Sequence, residues 1–347
     1  MDDNQLLKVN TSLLALLALL AVGATLYFAQ SVIVPFALAA FAAFAAEPIV
    51  RLLQRVKVPR WLGALFVVGL LFLAIESMVE IIVHTADQFQ GRLPIYLASL
   101  QALVDRLPLP EGTMAYVRVD DPEFWQAVLP IQALVGSVGS WAGAATSFVA
   151  NTLLVLLLMV ALIIGRRRFD ERLDLAAGHA TGRMKASARV IDAIDAGIQH
   201  YMLLKTGLSL AVGLCFWLLL TALGADFAIL WGVFACVMNF IPTVGPILAT
   251  IPAVVMLFLQ FGDSLGYALI ASASVAVIPT VFGNIIEPKV FGDSLNLNFF
   301  AILFALVLWA FLWGASGAVL SVPIMMAISL ICREVPALRP VHELLRA

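Results

Sequence analysis

The chain has 347 residues, of which 63% are hydrophobic and 12% charged, whereas about 25% of the residues in a typical soluble domain are charged. Together with a mean hydropathy of +1.03, this composition excludes a soluble fold, and the net charge of −2 gives no reason to expect a nucleic-acid partner. The three cysteines match no metal-binding spacing, so we expect them to be small buried side chains, and we expect no metal or cofactor.

Four apolar segments in the first half of the chain have the length of membrane-spanning helices. A helix needs about 20 apolar residues to cross the hydrocarbon core of a bilayer. The N-terminus is acidic and no small-residue cleavage site follows it, so we expect the first segment to be retained as a span rather than removed as a signal peptide. The four segments are Thr11–Gln30, Val32–Leu53, Trp61–Val83 and Trp141–Gly165.

The charged residues between these segments predict the orientation of the chain. Residues 51–60 contain four basic residues and no acid, and residues 166–205 contain eight basic residues. Residues 84–140 contain three basic and six acidic residues. Because basic residues collect in cytoplasmic loops, we predict that the N-terminus and both basic stretches are cytoplasmic and that residues 84–140 face outward. The basic tail, residues 333–347, predicts a cytoplasmic C-terminus as well.

Both long connecting segments are predicted to contain a helix with one apolar face. The outer insertion, residues 84–140, is too long for a plain loop. Its helix either packs on the membrane surface or on neighbouring spans, or contacts a second subunit, because heptad spacing also suits helix pairing. The helix of the cytoplasmic segment, residues 166–205, is predicted to be amphipathic and interfacial. The two apolar stripes are Leu93, Leu97, Leu100, Val104 and Leu107, and Ile191, Ile194, Ile198 and Tyr201.

The membrane region 206–332 differs from the first half, because it holds one basic residue and four acids. Gly207–Gly224 and Leu265–Ile286 have the length of single spans. Phe227–Gln260 and Phe299–Ile331 are too long for one comfortable crossing. Each is either one tilted, kinked crossing or a hairpin that returns to its starting side, and the sequence leaves this choice open. Their helix breakers include Pro242, Pro252, Gly314, Gly317 and Pro323.

The first candidate site is the break in the run Phe227–Gln260. Asn239 offers an amide and Thr243 a hydroxyl, while Gly245 and Pro246 limit continuous helical hydrogen bonding. Freed backbone groups are tolerated in a membrane only where protein or water covers them, and transporters use such breaks to bind substrates and ions. We therefore predict a substrate site here; the alternative is a kink that only shapes packing.

The second candidate site lies at the end of the span Leu265–Ile286. It contains Asn284, Glu287, Lys289 and Asp293. Ionisable groups inside a membrane are costly and usually face a cavity or each other, so we predict that Glu287 or Asp293 binds a proton, a cation or a substrate hydroxyl. The alternative is an interfacial loop whose charges are solvated.

Glu76 and Glu80, one helical turn apart, allow two interpretations. They either form a coupled proton or cation site or end the third span in the outer headgroup region. The chain has no nucleotide-binding fingerprint, and its four histidines are scattered. We therefore expect neither ATP hydrolysis within this chain nor catalytic residues.

Four stretches in this order resemble the autoinducer-2 exporter family of bacterial membrane proteins. They are Asn239–Pro246, Ile286–Leu295, Trp313–Pro323 and Val335–Pro340. The resemblance implies about eight spans, the bacterial inner membrane, a homo-oligomer, and either export of autoinducer-2 or sodium- or lithium-for-proton exchange. One departure is Glu47, where the resemblance leads us to expect a neutral residue.

The leading hypothesis is an ion-driven secondary transporter that exports a small polar molecule. A sodium/proton antiporter is the second hypothesis, and a non-transporting membrane scaffold or permease partner is the third. The lipid bilayer, a small solute or ion, and further copies of the chain are the expected partners. The implied segments are the first three spans (1–83), the outer insertion (84–140), the fourth span (141–165), the cytoplasmic helix (166–205), the transport region (206–332) and the tail (333–347).

Overall fold

The regular secondary structure of the described residues is helical, without a strand. This confirms the all-α, polytopic membrane class that the composition predicts. Leu107, Asp293 and residues 141–150 of the predicted fourth span lie outside the described part of the chain. The structure, a computed structural model, describes residues 3–105, 151–165, 182–291, 297–334 and 338–346.

Two helices continue through boundaries that the sequence predicts. Helix α3 (Arg60–Asp105) runs unbroken past residue 84, and helix α5 (Gly182–Ala222) runs unbroken past residue 205. The apolar pattern marks where a helix leaves the hydrocarbon rather than where its hydrogen bonding stops. Neither boundary contains a proline, and the single glycine, Gly207, is tolerated inside α5. The first five helices are α1 (Asp3–Phe28), α2 (Gln30–Arg55), α3 (Arg60–Asp105), α4 (described over Asn151–Gly165) and α5 (Gly182–Ala222).

The second half of the chain has shorter helices and one π-helical turn at Phe282–Ile286. Its helices are α6 (Ala228–Met238), α7 (Val244–Gln260), α8 (Leu265–Val281), α9 (Glu287–Phe291), α10 (Phe299–Glu334) and α11 (Arg339–Leu345). Within the described residues, five helical stretches are long and apolar enough to cross a membrane: Gln30–Arg55, Arg60–Thr85, Ile194–Ala222, Leu265–Phe291 and Phe299–Arg333.

The first long run, Phe227–Gln260, is a helical hairpin rather than a single crossing. The turn at residues 239–243 joins α6 to α7. At the open end, the Gln260 side chain donates to the carbonyl oxygen of Gly224 at 2.9 Å and accepts from the backbone N–H of Asp226 at 2.7 Å. Because the two ends of the hairpin are hydrogen-bonded to each other, the chain returns to the side from which it entered.

The second long run, Phe299–Ile331, also reverses direction. It lies within a single element, α10, because helical hydrogen bonding continues on both sides of Gly314. Gly314 has φ 62° and ψ −142°, a backbone conformation that is strongly unfavourable for any residue with a Cβ. Beyond it, Gly317 lies directly against the carbonyl oxygen of Trp309, whereas eight residues of a straight helix span about 12 Å. α10 is therefore a hairpin with Gly314 at its tip, and its first arm, Phe299–Trp313, is shorter than the about 20 residues that one crossing needs.

Each hairpin belongs to one of two compact units of the chain. The first hairpin lies in the unit formed by Ala45–Leu153 and Gln199–Leu295. The core of that unit is apolar and includes Phe216, Leu257 and Val275. The second hairpin lies in the unit formed by Met1–Phe44, Leu154–Ile198 and Asn296–Ala347.

Within its unit, the second hairpin is anchored at both ends. At the tip, the indole of Trp313 donates to the carbonyl oxygen of Leu26 at 3.0 Å. At the open end, Asn298 donates through its amide to Leu344 at 2.7 Å. The acceptors are backbone carbonyls in the last turns of α1 and α11. Carbonyls at these positions have no hydrogen-bond donor within their own helix.

Candidate functional site

The turn of the first hairpin places an amide in the protein interior. Asn239 immediately follows α6, and its Nδ2 donates to Oγ of Ser209 on α5 at 3.0 Å. Both side chains are buried, with Ser209 completely inaccessible to solvent. Two polar groups in an apolar core satisfy each other in this way, so the hydrogen bond fixes the position of the hairpin turn against α5.

One helical turn before Ser209, α5 also carries Lys205, which forms an ion pair with Glu287. The ammonium of Lys205 donates to Oε1 of Glu287. The Lys205 side chain is 5% exposed and the Glu287 side chain 29% exposed. Lys205 lies near the middle of the membrane-length stretch Ile194–Ala222, where an unpaired charge would be costly. The carboxylate therefore neutralises a lysine that the fold has removed from water.

One face of α5 carries these contacts. Tyr201, Lys205 and Ser209 follow each other at steps of four residues, so they share a helix face, and the ring of Tyr201 stacks on Phe291 at 5.4 Å. We call Lys205, Ser209, Asn239 and Glu287 the polar cluster. It joins the two candidate sites that the sequence predicts separately, the hairpin turn and the segment around Glu287.

Irregular backbone positions Glu287 in the polar cluster. The π-helical turn Phe282–Ile286 separates α8 from α9, and Glu287 is the first residue after it. Prolines precede and follow this turn at Pro279 and Pro288, where they remove helical hydrogen-bond donors. π-helical turns are rare and occur frequently at functional sites. Because of the π-helical turn, the Glu287 side chain points in a different direction from the one that a regular continuation of α8 would give it.

The remaining predicted site residues lie in three different environments. Thr243 is exposed at the hairpin turn, and its hydroxyl donates to the carbonyl of Pro242 at 2.7 Å. Gly245 is buried against the backbone of α6. Asn284 and Lys289 are exposed, so they lie outside the interior of the polar cluster. Two further positions complete the list: the carbonyl of Pro246 accepts the Thr250 hydroxyl at 2.7 Å, and Asp293 lies outside the described residues.

Lys205 and Ser209 were missed at the sequence level. From the sequence, Lys205 is interpreted as the last basic residue of the cytoplasmic segment, and Ser209 as an ordinary small residue of the next span. A signal was present, because Lys205 is the single lysine or arginine between Arg189 and Lys289. Its four-residue spacing from Tyr201 and Ser209 predicts a polar helix face inside an apolar stretch.

Nearly the whole chain matches one family of membrane proteins. A family model described as AI-2E family transporter matches residues 16–337, which is nearly the whole chain. The chain belongs to the AI-2E family. This confirms the resemblance on which the sequence analysis relied.

Curated relatives of this AI-2E family member match along most of their length. "AI-2 transport protein TqsA" of Escherichia coli K12 is 30% identical over 86% of this chain and 84% of its own. A "Putative transport protein" of Haemophilus influenzae is 27% identical over 95% of this chain and 94% of its own. "Putative transport protein YueF" of Bacillus subtilis is 27% identical over 86% of this chain and 82% of its own.

Glu47, the unexpected acid in this AI-2E family member, joins α2 to α3. Its carboxylate accepts from Arg51 at 3.0 Å and from Arg60 at 3.0 and 3.2 Å, and its side chain is 3% exposed. The turn between the helices passes through Lys57, which has a φ of 64°. Glu47 is therefore part of an ion-pair network that holds two helices together at their junction.

A second group of polar contacts closes the open end of the first hairpin against α3. Asp226 accepts from the guanidinium of Arg92 and from the hydroxyl of Tyr96, the latter at 2.8 Å. Tyr96 is buried. Burial, followed by the hydrogen bond to Asp226, raises the pKa of Tyr96 above the ordinary tyrosine value. The part of α3 beyond residue 85 is thus tied to the hairpin through one carboxylate.

Tyr96 should make the stability of the protein depend on alkaline pH. Its raised pKa means that the folded state holds the phenol proton more tightly than the unfolded state, so this contribution is complete below about pH 10 and is lost as the pH rises further. Tyr96→Phe should lower the melting temperature at neutral pH, because Asp226 loses a donor, and should flatten the alkaline decline. Thermal unfolding in detergent between about pH 7 and about pH 11 measures both effects; equal alkaline losses in the two proteins would contradict the assignment.

Proposed function

We propose that this protein is a secondary transporter that exports a small polar molecule across the bacterial inner membrane, driven by an ion gradient. The observation that carries the proposal is the polar cluster: an ion pair between two membrane-length helices and an amide–hydroxyl pair that joins the hairpin turn to one of them. Polar groups at such depth usually mark a path for substrates or ions. The name of the Escherichia coli relative supports an autoinducer-2-like solute as the first substrate to test. The transport names of the relatives also fit a protein without catalytic activity.

The proposed roles follow the positions of the side chains. Thr243, exposed at the turn of the first hairpin, contacts the solute, together with Asn239 and the backbone around Gly245 and Pro246. Glu287 binds the coupling cation, because its carboxylate is partly exposed and reachable. Asp293, which follows on the same segment, is the alternative cation site.

The orientation of the chain in this proposal has both termini in the cytoplasm. The junction of α2 and α3 carries four basic residues within residues 51–60: two at the end of α2, Lys57 in the turn and the first residue of α3. Basic residues near span ends favour the cytoplasmic side. Cysteine-accessibility labelling of single-cysteine variants at positions 57 and 343 should therefore report cytoplasmic exposure for both.

Flux into proteoliposomes with an imposed pH or sodium gradient tests the transport proposal. Wild-type protein should move the labelled solute against its gradient, and Glu287→Gln should reduce coupled flux at least about tenfold, since a neutral amide cannot alternate between charged and neutral forms. Asp293→Asn tests the alternative site in the same assay. Asp263→Asn, an acid-to-amide change at an exposed position outside the cluster, is the matched control. Wild-type rates in both site variants would remove the coupling assignment.

A sodium/proton antiporter is the second candidate, because Glu287 offers an exchangeable carboxylate without requiring a solute. Its expected result is rescue of salt-sensitive growth in a strain that lacks its own antiporters. A failure to rescue, together with solute flux that ignores sodium, would exclude it. Tight association with another membrane protein and no flux of any kind in pure liposomes would favour the scaffold hypothesis instead.

We also propose that the transporter is a homo-oligomer. Glu76 and Glu80 are exposed on α3, and Glu76 lies about 22 Å along the helix from Trp61, the first aromatic residue of the span. A carboxylate at that depth is costly against lipid, and a neighbouring subunit would shield it. Mass measurement in lipid nanodiscs gives the number of subunits, and a monomeric mass would contradict the proposal.

A further inference from the structure

We infer that Lys205 is a tethered cation that competes with the transported cation for Glu287. The inference rests on the proposed function, because it takes Glu287 as the coupling site. The ammonium of Lys205 already donates to Oε1 of Glu287. A carboxylate that neutralises one cation attracts a second one weakly, since the pair has little net charge. An incoming monovalent cation therefore binds by displacing the lysine.

The two side chains differ in access, and this difference sets the order of events. The Lys205 side chain is 5% exposed, whereas the Glu287 side chain is 29% exposed. An arriving cation meets the exposed part of the carboxylate, while the lysine approaches the same carboxylate from the packed interior. Within the described residues the lysine occupies Oε1, so Oε2 is the oxygen that first meets the incoming cation.

The displaced ammonium has polar groups within reach on its own helix. Tyr201 and Ser209 lie one turn before and one turn after Lys205 on the same face of α5. The four-carbon stem of lysine is flexible and carries three donors. Lys289, two residues after Glu287, is exposed. Movement of the ammonium toward a hydroxyl frees Glu287, but it separates the ammonium from its counter-ion, and this cost is what makes Lys205 a competitor for the carboxylate.

The backbone beneath Glu287 is suited to a small movement. The π-helical turn Phe282–Ile286 holds one residue more per turn than an α-helix would. Its conversion to regular α-helix rotates Glu287 relative to α8 and separates it from Lys205. Exchange of cations at the carboxylate would in this way be linked to rearrangement of the polar cluster, which includes the hairpin turn at Asn239.

The test is thermal unfolding of the purified full-length protein in detergent with sodium, lithium or choline chloride at constant ionic strength, each at a neutral and an acidic pH. Lys205→Gln removes the tethered charge but keeps a donor for Glu287. Its midpoint for stabilisation by the cation should fall at least about tenfold relative to wild type. The double variant K205Q/E287Q should show no such response, and Lys289→Gln, which removes an exposed lysine from the same region, should match wild type.

Each outcome decides the inference. A response of K205Q to sodium, to lithium or to acid alone, absent from K205Q/E287Q and at a lower midpoint than in wild type, supports it and identifies the cation. An equal midpoint in wild type and K205Q overturns it. Identical behaviour of K205Q and K205Q/E287Q in all conditions overturns it, and Lys205→Met repeats the test if K205Q does not fold. Solute flux on the same preparations separates the two proposals: a cation response without flux refutes only the transport function, and flux without a cation response refutes only the tethered cation.

Discussion

Glu287→Lys should reduce the yield of folded protein to roughly a tenth of wild type or less, and the exchanged pair K205E/E287K should recover much of that loss. Breaking a buried ion pair by removing one partner costs about 3–5 kcal/mol, and a second ammonium beside Lys205 adds repulsion. The exchange restores opposite charges in the same place. Size-exclusion profiles and thermal unfolding in detergent measure both effects.

The matched control for this charge reversal is Lys289→Glu. Lys289 lies two residues away and is exposed, so its reversal should change the unfolding free energy by no more than about 0.5 kcal/mol. The pair would lose its assigned role if E287K were as stable as K289E. It would also lose that role if the exchanged double variant were no better than E287K.

Alanine at Gly245 or Gly317 should destabilise the protein by about 3 kcal/mol or more, the upper end of the cost of overpacking. A Cβ at Gly245 would overlap the carbonyl oxygen of Met238, and a Cβ at Gly317 would overlap that of Trp309. In both cases the obstacle is backbone rather than a flexible side chain. Relief therefore requires the two arms of a hairpin to separate near the turn.

Gly266→Ala provides a control of opposite sign. Gly266 lies in α8 with no described atom within 4 Å of the added Cβ. Alanine there restricts the unfolded chain without creating a clash, which should stabilise the protein by about 0.4–1 kcal/mol. Melting temperatures of the three single variants give the comparison. Equal effects of G245A and G266A would show that the arms of the first hairpin approach less closely than described.

The positions of the helix breaks were predictable from the sequence, but their geometry was not. Proline and glycine interrupt helices through local chemistry, so the break at residues 239–246 and the break near Gly314 follow from residue type alone. Whether a broken run crosses or returns depends on what its two ends contact. Gln260 decides this for the first hairpin through its hydrogen bonds to Gly224 and Asp226, which lie more than thirty residues earlier in the chain.

The polar cluster shows the same division between local and distant information. The sequence indicates Asn239 and Glu287, because each polar group stands beside helix breakers in an apolar region. It does not indicate their partners, since Ser209 is 30 residues from Asn239 and Lys205 is 82 residues from Glu287. Those pairings depend on which faces of α5, α6 and α9 meet, and the apolar residues that determine this packing are numerous and chemically alike.

The membrane class, the sites of the breaks and the family could be predicted from the sequence, because hydrophobicity and backbone restriction act residue by residue. Only the tertiary structure decided that the two long runs are hairpins and that a lysine assigned to a cytoplasmic segment neutralises Glu287. The physical reason is that a buried charge is stable only beside its counter-ion. That counter-ion is found by the packing of distant helices rather than by any local pattern.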